Sequence, residues 1–187
     1  MKEKSDTILY SITFYSQWHC GSGTSAGANL DALVIKDKNG MPFIPGKTLK
    51  GLIREAAENV AQFEHNVNII EDALLAAFGT EGSVTGCMHF SNAVLAKKEY
   101  DAIVYNNAQH FLYNKVTTTS IDDEGIAVDH SLRSMETVVP CTMYAQISGV
   151  PEDIKEIVVK AMKLIKRLGQ KRNRGLGRCD IKEGGIQ

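Results

Sequence analysis

Pro42-Phe43-Ile44-Pro45-Gly46-Lys47-Thr48-Leu49-Lys50-Gly51-Leu52-Ile53-Arg54-Glu55 is an extended approach that turns into a helix. Pro42 and Pro45 hold Met41 and Ile44 in β or polyproline backbone, because the proline ring crowds the residue before it. Gly46 permits a tight turn. From Lys47 to Val60 the spacing is helical, with Leu49, Ile53, Ala56, Ala57 and Val60 on one face. Lys47, Lys50 and Arg54 follow i, i+3, i+7 and form a cationic stripe beside it. Three cations at a loop-to-helix junction suit a polyanion, and a helix N-terminus adds backbone donors and partial positive charge. The segment Gly40–Thr48 superficially resembles a nucleotide phosphate loop. That motif needs glycine at 41, where the chain has Met41, and two prolines remove N–H groups the loop would use.

Working outward, Thr7 to Trp18 alternates apolar and polar and predicts a first strand with one buried face. His19 to Gly27 is a loop rich in small residues. Leu30 to Ile35 is a second extended piece, and Lys36 to Gly40 a turn carrying the Asn39-Gly40 hairpin signal. Asp37 is expected to cap that turn. Beyond the first helix, Ile69 to Phe78 predicts a short second helix ended by Gly79. Cys87 to Leu95 predicts a strand, and Tyr100 to Arg133 an irregular hairpin or arm. Glu136 to Gly149 predicts one long strand. Pro151-Glu152-Asp153 opens a helix from Ile154 to Leu168, with Ile157, Val158, Ala161, Leu164, Ile165 and Leu168 facing the core. A glycine-rich basic loop, Gly169 to Arg178, precedes a last strand, Cys179 to Lys182. Strand, helix, strand, strand, helix, strand is the split βαβ plan: an α+β, ferredoxin-like (RRM-like) core with an inserted arm and a glycine-rich loop before the last strand.

The chain has 187 residues, of which 43% are hydrophobic and 23% charged, as in a single globular domain with an arm at about 100–135. A net charge of -1 means that any nucleic-acid site is a local patch. Cys20, Cys87, Cys141 and Cys179 are far apart, which argues against a zinc knuckle or disulfide framework and fits a reducing cytosol. No apolar run reaches spanning length and MKEKSDT lacks a signal-peptide core, so a cytoplasmic protein without a membrane partner is expected.

Three features together resemble the RAMP superfamily of CRISPR-associated proteins. They are Ile44-Pro45-Gly46-x-x-Leu49-Lys50-Gly51-x-x-Arg54, the terminal Arg172-Asn173-Arg174-Gly175-Leu176-Gly177-Arg178, and His19-Cys20-Gly21-Ser22-Gly23 followed by Leu30-Asp31-x-x-Val34-Ile35-Lys36-Asp37. Phe78-Gly79-Thr80, Gly86-x-Met88-x-Phe90-Ser91-Asn92-Ala93 and Ser134-Met135-Glu136-Thr137-Val138-Val139-Pro140 also fit. The third feature is similar to the repeated backbone subunit of type III effector complexes, whose loop aspartate cleaves target RNA. By position that residue is Asp31. Gly46-Lys47-Thr48 departs from the family's Gly-Ser-Ser.

The resemblance implies guide RNA, target RNA, copies of the chain in a filament and other type III effector subunits as partners. Phosphate contacts would come from Lys47, Lys50, Arg54, Lys171, Arg172, Arg174 and Arg178, and His19 would bind RNA and assist in cleavage. Gly175 and Gly177 would let backbone approach phosphates. Such contacts position a strand, while guide pairing reads its sequence. The arm would wedge the guide–target duplex. Cleavage by Asp31 with a divalent cation, Mg or Mn, would leave a 2′,3′-cyclic phosphate. Two alternatives stay open: a non-catalytic guide-RNA scaffold, and a standalone nuclease that processes repeat RNA without metal.

Overall fold

The computed structural model describes residues 7–23, 31–63, 67–80 and 84–184. Strand β1 (Ile8–Phe14) is its centre. Ile8, Tyr10, Ile12 and Phe14 are buried, while Leu9 on the other face is exposed. That alternation is the period of two that a half-buried strand imposes. On one side β1 pairs antiparallel with β6 (Thr142–Ser148), matching Ile8 to Ile147 and Ile12 to Met143. On the other it pairs antiparallel with β7 (Cys179–Glu183), matching Ile12 to Ile181. Two short strands, β2 (His89–Phe90) and β3 (Val94–Leu95), line the outer edge of β6. The order β2/β3–β6–β1–β7 with all neighbours antiparallel is the ferredoxin-like sheet.

Helices α1 (Gly46–Ala61) and α4 (Glu152–Leu164) pack on each other and on the buried face of this sheet. Leu49, Ile53, Ala57 and Val60 of α1 meet Ile154, Ile157, Val158 and Ala161 of α4 in one core. Helix α2 (Val67–Phe78) ends where expected: Gly79 takes a φ of 80° and donates to Leu75. Among the described residues no helix is long and apolar enough to cross a membrane.

Several expectations need correction. The strand over Cys87–Leu95 breaks into β2 and β3, because Asn92 turns its side chain to the α1 N-terminus. The single strand over Glu136–Gly149 is two, β5 (Arg133–Val138) and β6, interrupted at Pro140, which has no N–H for a ladder. The region Tyr100–Arg133 overlaps a helix, α3 (Lys97–Tyr105), and contains a 3-10 turn and β4 (Tyr113–Thr118). β4 and β5 form a separate two-stranded ribbon, and residues 117–130 at its far end are all exposed. Helix α4 stops at Leu164, which is 61% exposed instead of facing the core. Ile165 and Leu168 are still buried, but on extended backbone that bonds to the terminal loop. Leu30 lies outside the described residues; Ala32, Val34 and Lys36 make single bridges, not a strand.

A candidate RNA-binding depression beside Asp31

The α1 junction is built around Gly46. Its N–H donates to Asn92 Oδ1 at 2.9 Å, and a Cβ there would collide with the Phe90 carbonyl. One helix-terminal donor is thus already occupied by the fold. Lys47 is exposed and Lys50 partly so. Arg54 has internal work: Nε donates to Glu58 Oε1 at 2.7 Å and Nη1 to the Gly79 carbonyl at 3.1 Å. It ties α1 to the end of α2, so only part of the expected cationic stripe is available to an anion.

The terminal loop is held through its backbone. Gln170 N–H donates to His19 O (2.9 Å), Leu168 N–H to Gly177 O (2.9 Å), Gly177 N–H to Gln17 O (2.8 Å) and Cys179 N–H to Lys166 O (2.9 Å). Lys171, Gly175 and Gly177 all have positive φ, at 55°, 85° and 70°. Gly177 is buried, and a Cβ on it would strike the Leu168 carbonyl. Its glycine therefore serves protein backbone, which corrects the expectation of a phosphate there. Gly175 has open space around its Cβ direction and remains accessible. Lys171, Arg172, Arg174 and Arg178 are exposed. The Arg178 guanidinium stands 5.6 Å from the Tyr15 ring. Arg172 lines an open groove of about 360 Å³ with Leu52, Glu55, Ala56 and Asn59 of α1 and Leu164–Arg167.

His19 does not reach solvent. It is fully buried, its Nδ1 lies 2.6 Å from the Glu136 carbonyl, and its own carbonyl holds Gln170. As folded it cannot touch a nucleotide chain, so the expected RNA contact is corrected to a pin joining three segments. Burial of a loop histidine on a facing carbonyl has no signal in the sequence.

Asp31 is fixed against β5 by two reciprocal bonds. Its N–H donates to Ser134 O at 2.8 Å, and Ser134 N–H donates to Asp31 Oδ2 at 2.7 Å. Ala32 then bridges Met135, and Val34 N–H donates to Glu136 Oε2. Oδ1 lies 3.8 Å from Arg133 Nη1, beyond hydrogen-bond reach. The carboxylate opens on a depression of about 190 Å³ lined by Asp31, Ala32, Thr118, Arg133, Ser134, Met135, Gln170 and Lys171. Asp31 and Lys171 of the expected set thus meet; Lys47 and Lys50 do not line this depression. Arg133 and Thr118 were missed. They face each other across the ribbon, and nothing local in the sequence ties that pair to a loop 103 residues before Ser134. Among the described residues no three His, Cys, Asp or Glu side chains gather as a metal cage.

Nearby, the Asn39-Gly40 turn docks on α3 and β4. Asp37 Oδ1 accepts from Asn39 and Met41 N–H, as a capping aspartate does. Tyr100 Oη donates to Asp37 Oδ2 at 2.5 Å. Partial burial pushes the Asp37 carboxyl up, but the Tyr100 and backbone bonds outweigh it and hold it below its ordinary value. Tyr113 Oη donates to Gly40 O at 2.6 Å, and the Lys36 ammonium sits over the Tyr113 ring at 3.9 Å.

The molecule is thus a ferredoxin-like α+β protein with an appended ribbon and a glycine-rich cationic loop. The RAMP superfamily profile matches residues 11–180, and the chain belongs to that superfamily. Two similar solved structures are chains of the type III-B Cmr-beta complex determined by cryo-EM. The one bound to cognate target RNA has a TM-score of 0.67 and 14% identity, covering 95% of this chain and 96% of that one. The one in the apo state has a TM-score of 0.69 and 15% identity over the same shares of each chain. At these identities the likeness is one of fold. No curated protein matches by sequence.

Proposed function

We propose that this chain is a backbone subunit of a type III CRISPR RNA-guided effector complex. It holds guide RNA and cleaves the target RNA paired to it. Superfamily membership and the fold shared with type III-B Cmr-beta chains support the setting. The observation that carries cleavage is the position of Asp31, an oriented carboxylate sharing a depression with the terminal-loop cation Lys171. In this reading the partners are guide RNA, target RNA, further copies of the chain in a filament and other effector subunits, all in the cytoplasm.

The chemistry follows from one oriented acid. With Oδ2 tied to Ser134, Oδ1 accepts the hydrogen bond of the attacking 2′-hydroxyl and aligns it on the adjacent phosphorus. The O2′–P bond forms as the 2′-hydroxyl proton passes to the Asp31 carboxylate, and the P–O5′ bond breaks as water protonates the leaving oxygen. The products are a 2′,3′-cyclic phosphate and a 5′-hydroxyl that has taken up a proton. The residues present fit a divalent cation only in the manner of Mg²⁺, with one carboxylate oxygen, RNA phosphates and water as ligands. When bound, Mg or Mn would offset charge developing on the phosphoryl oxygens.

The test is Asp31→Ala in the assembled complex. Target cutting should fall by about 100-fold or more, while guide and target binding persist. Cutting at the wild-type rate would remove Asp31 from the reaction. A guide-holding scaffold is the second reading, favoured by the burial of His19, which leaves no second acid or base of the expected set beside Asp31. It requires that the wild-type complex cut nothing with any divalent cation. A standalone nuclease would instead require the isolated chain to cut repeat RNA without metal.

A further inference from the structure

We infer that the depression beside Asp31 is a phosphodiester site in which Arg133 holds the phosphate undergoing reaction. The inference deepens the cleavage reading above and rests on it for the word reaction; the phosphate site itself does not. Four observations carry it.

First, Arg133 is available. Its side chain is 69% exposed, and its approach to Asp31 at 3.8 Å is electrostatic without being a hydrogen bond. Its planar set of N–H donors is not consumed by that carboxylate and matches two phosphate oxygens at once. Second, Asp31 cannot swing to close a tight pair, because Ser134 N–H holds Oδ2. Third, Lys171 also lines the depression; its backbone is set at φ 55° and its carbonyl accepts from Arg174 N–H at 2.8 Å. Thus Arg133 from the ribbon and Lys171 from the terminal loop converge on one space from two separate elements.

Fourth, charge and size select the ligand. One carboxylate against two cations leaves a single positive charge, which one phosphodiester neutralises. A volume of about 190 Å³ is below the range of pockets that enclose a whole small ligand. It suits a backbone phosphate with part of its sugar, the rest of the strand lying outside. Thr118 and Gln170 also line the depression, and both residue types carry neutral donors. Arg133 thus places the phosphorus near the Asp31 oxygen that Ser134 leaves free.

The experiment uses the assembled, guide-loaded complex with Arg133→Ala, Arg133→Lys and wild type. Single-turnover cutting and target binding are measured across a salt series. Arg133→Ala should slow cutting about 10- to 100-fold and change target affinity at a fixed low salt far less. Arg133→Lys should recover part of the rate, since it keeps the charge and loses the fork. The slope of log affinity on log salt should shrink by about one for Arg133→Ala. Wild-type or faster cutting by Arg133→Ala would mean that Arg133 merely masks Asp31, and would overturn the proposal. If the wild-type complex proves unable to cut, the cleavage reading fails and the site is judged on the slope alone. An unchanged slope then overturns it.

Discussion

Asp37 and Tyr100 form a small clasp whose charge state can be followed directly. The carboxyl sits below its ordinary value chiefly because Tyr100 and two backbone N–H groups favour the ionised form over the opposing effect of burial. The same bond, with partial burial, raises the Tyr100 phenol. A depressed acid adds stability that is present above its unfolded value and lost as pH falls through the folded value. A raised phenol adds stability present below its unfolded value and lost as pH rises through the folded one. The clasp is therefore complete through the neutral range and opens at both extremes. In Tyr100→Phe the Asp37 carboxyl should titrate closer to its ordinary value, which a carbon-detected NMR titration of that side chain would report. An unmoved Asp37 would assign the depression to the backbone bonds alone.

At the scale of elements, the segment 165–168 is the instructive one. Periodicity continues the last helix to Leu168, yet the helix ends at Leu164. Leu168 N–H and Gly177 O bond to each other, and Lys166 O accepts from Cys179, so tertiary pairing displaces the helical ladder. That pairing depends on Gly177 accepting φ 70° with a carbonyl pressed where a Cβ would stand. Gly177→Ala should destabilise the protein by about 2–4 kcal/mol. Gly175→Ala, at φ 85° in open space, should cost only about 1–2 kcal/mol. Urea denaturation of the two variants checks the difference, and equal losses would refute the argument. The main sheet and α1 were legible because alternation and 3.6-residue spacing are local properties. The break at Pro140 was legible in principle, since a proline inside a strand run signals an interruption. The end of α4, the exposure of Leu164 and the burial of His19 were not, because distant backbone decides each. In the candidate site, Asp31 was proposed from motif resemblance and Lys171 from the run of cations in the terminal loop, and the structure places both on one depression. Arg133 was not legible, because the long-range pairing of Asp31 with Ser134 brings it there.

At the scale of the molecule, the ribbon meets the main sheet where β5 runs beside the residues that follow β1. Trp18 and Val138 exchange backbone bonds at 3.0 and 2.8 Å, and His19 adds its bond to Glu136. Trp18 is fully buried and stacked on Phe14 with ring centroids 4.7 Å apart. It therefore fastens the ribbon base to the end of the central strand. Trp18→Ala should cost about 3–5 kcal/mol of unfolding free energy, read by chemical denaturation. Hydrogen exchange should rise first at β5. A variant as stable as wild type would show that the ribbon is held by other contacts.

The reciprocal bonds between Asp31 and Ser134 put the acidic oxygen on the same lever as the ribbon. A displacement of β5 at Ser134 would therefore be felt at the Asp31 carboxylate through those two bonds. The acid and the arm would then act as a linked pair, with the tilt of one setting where the other bites.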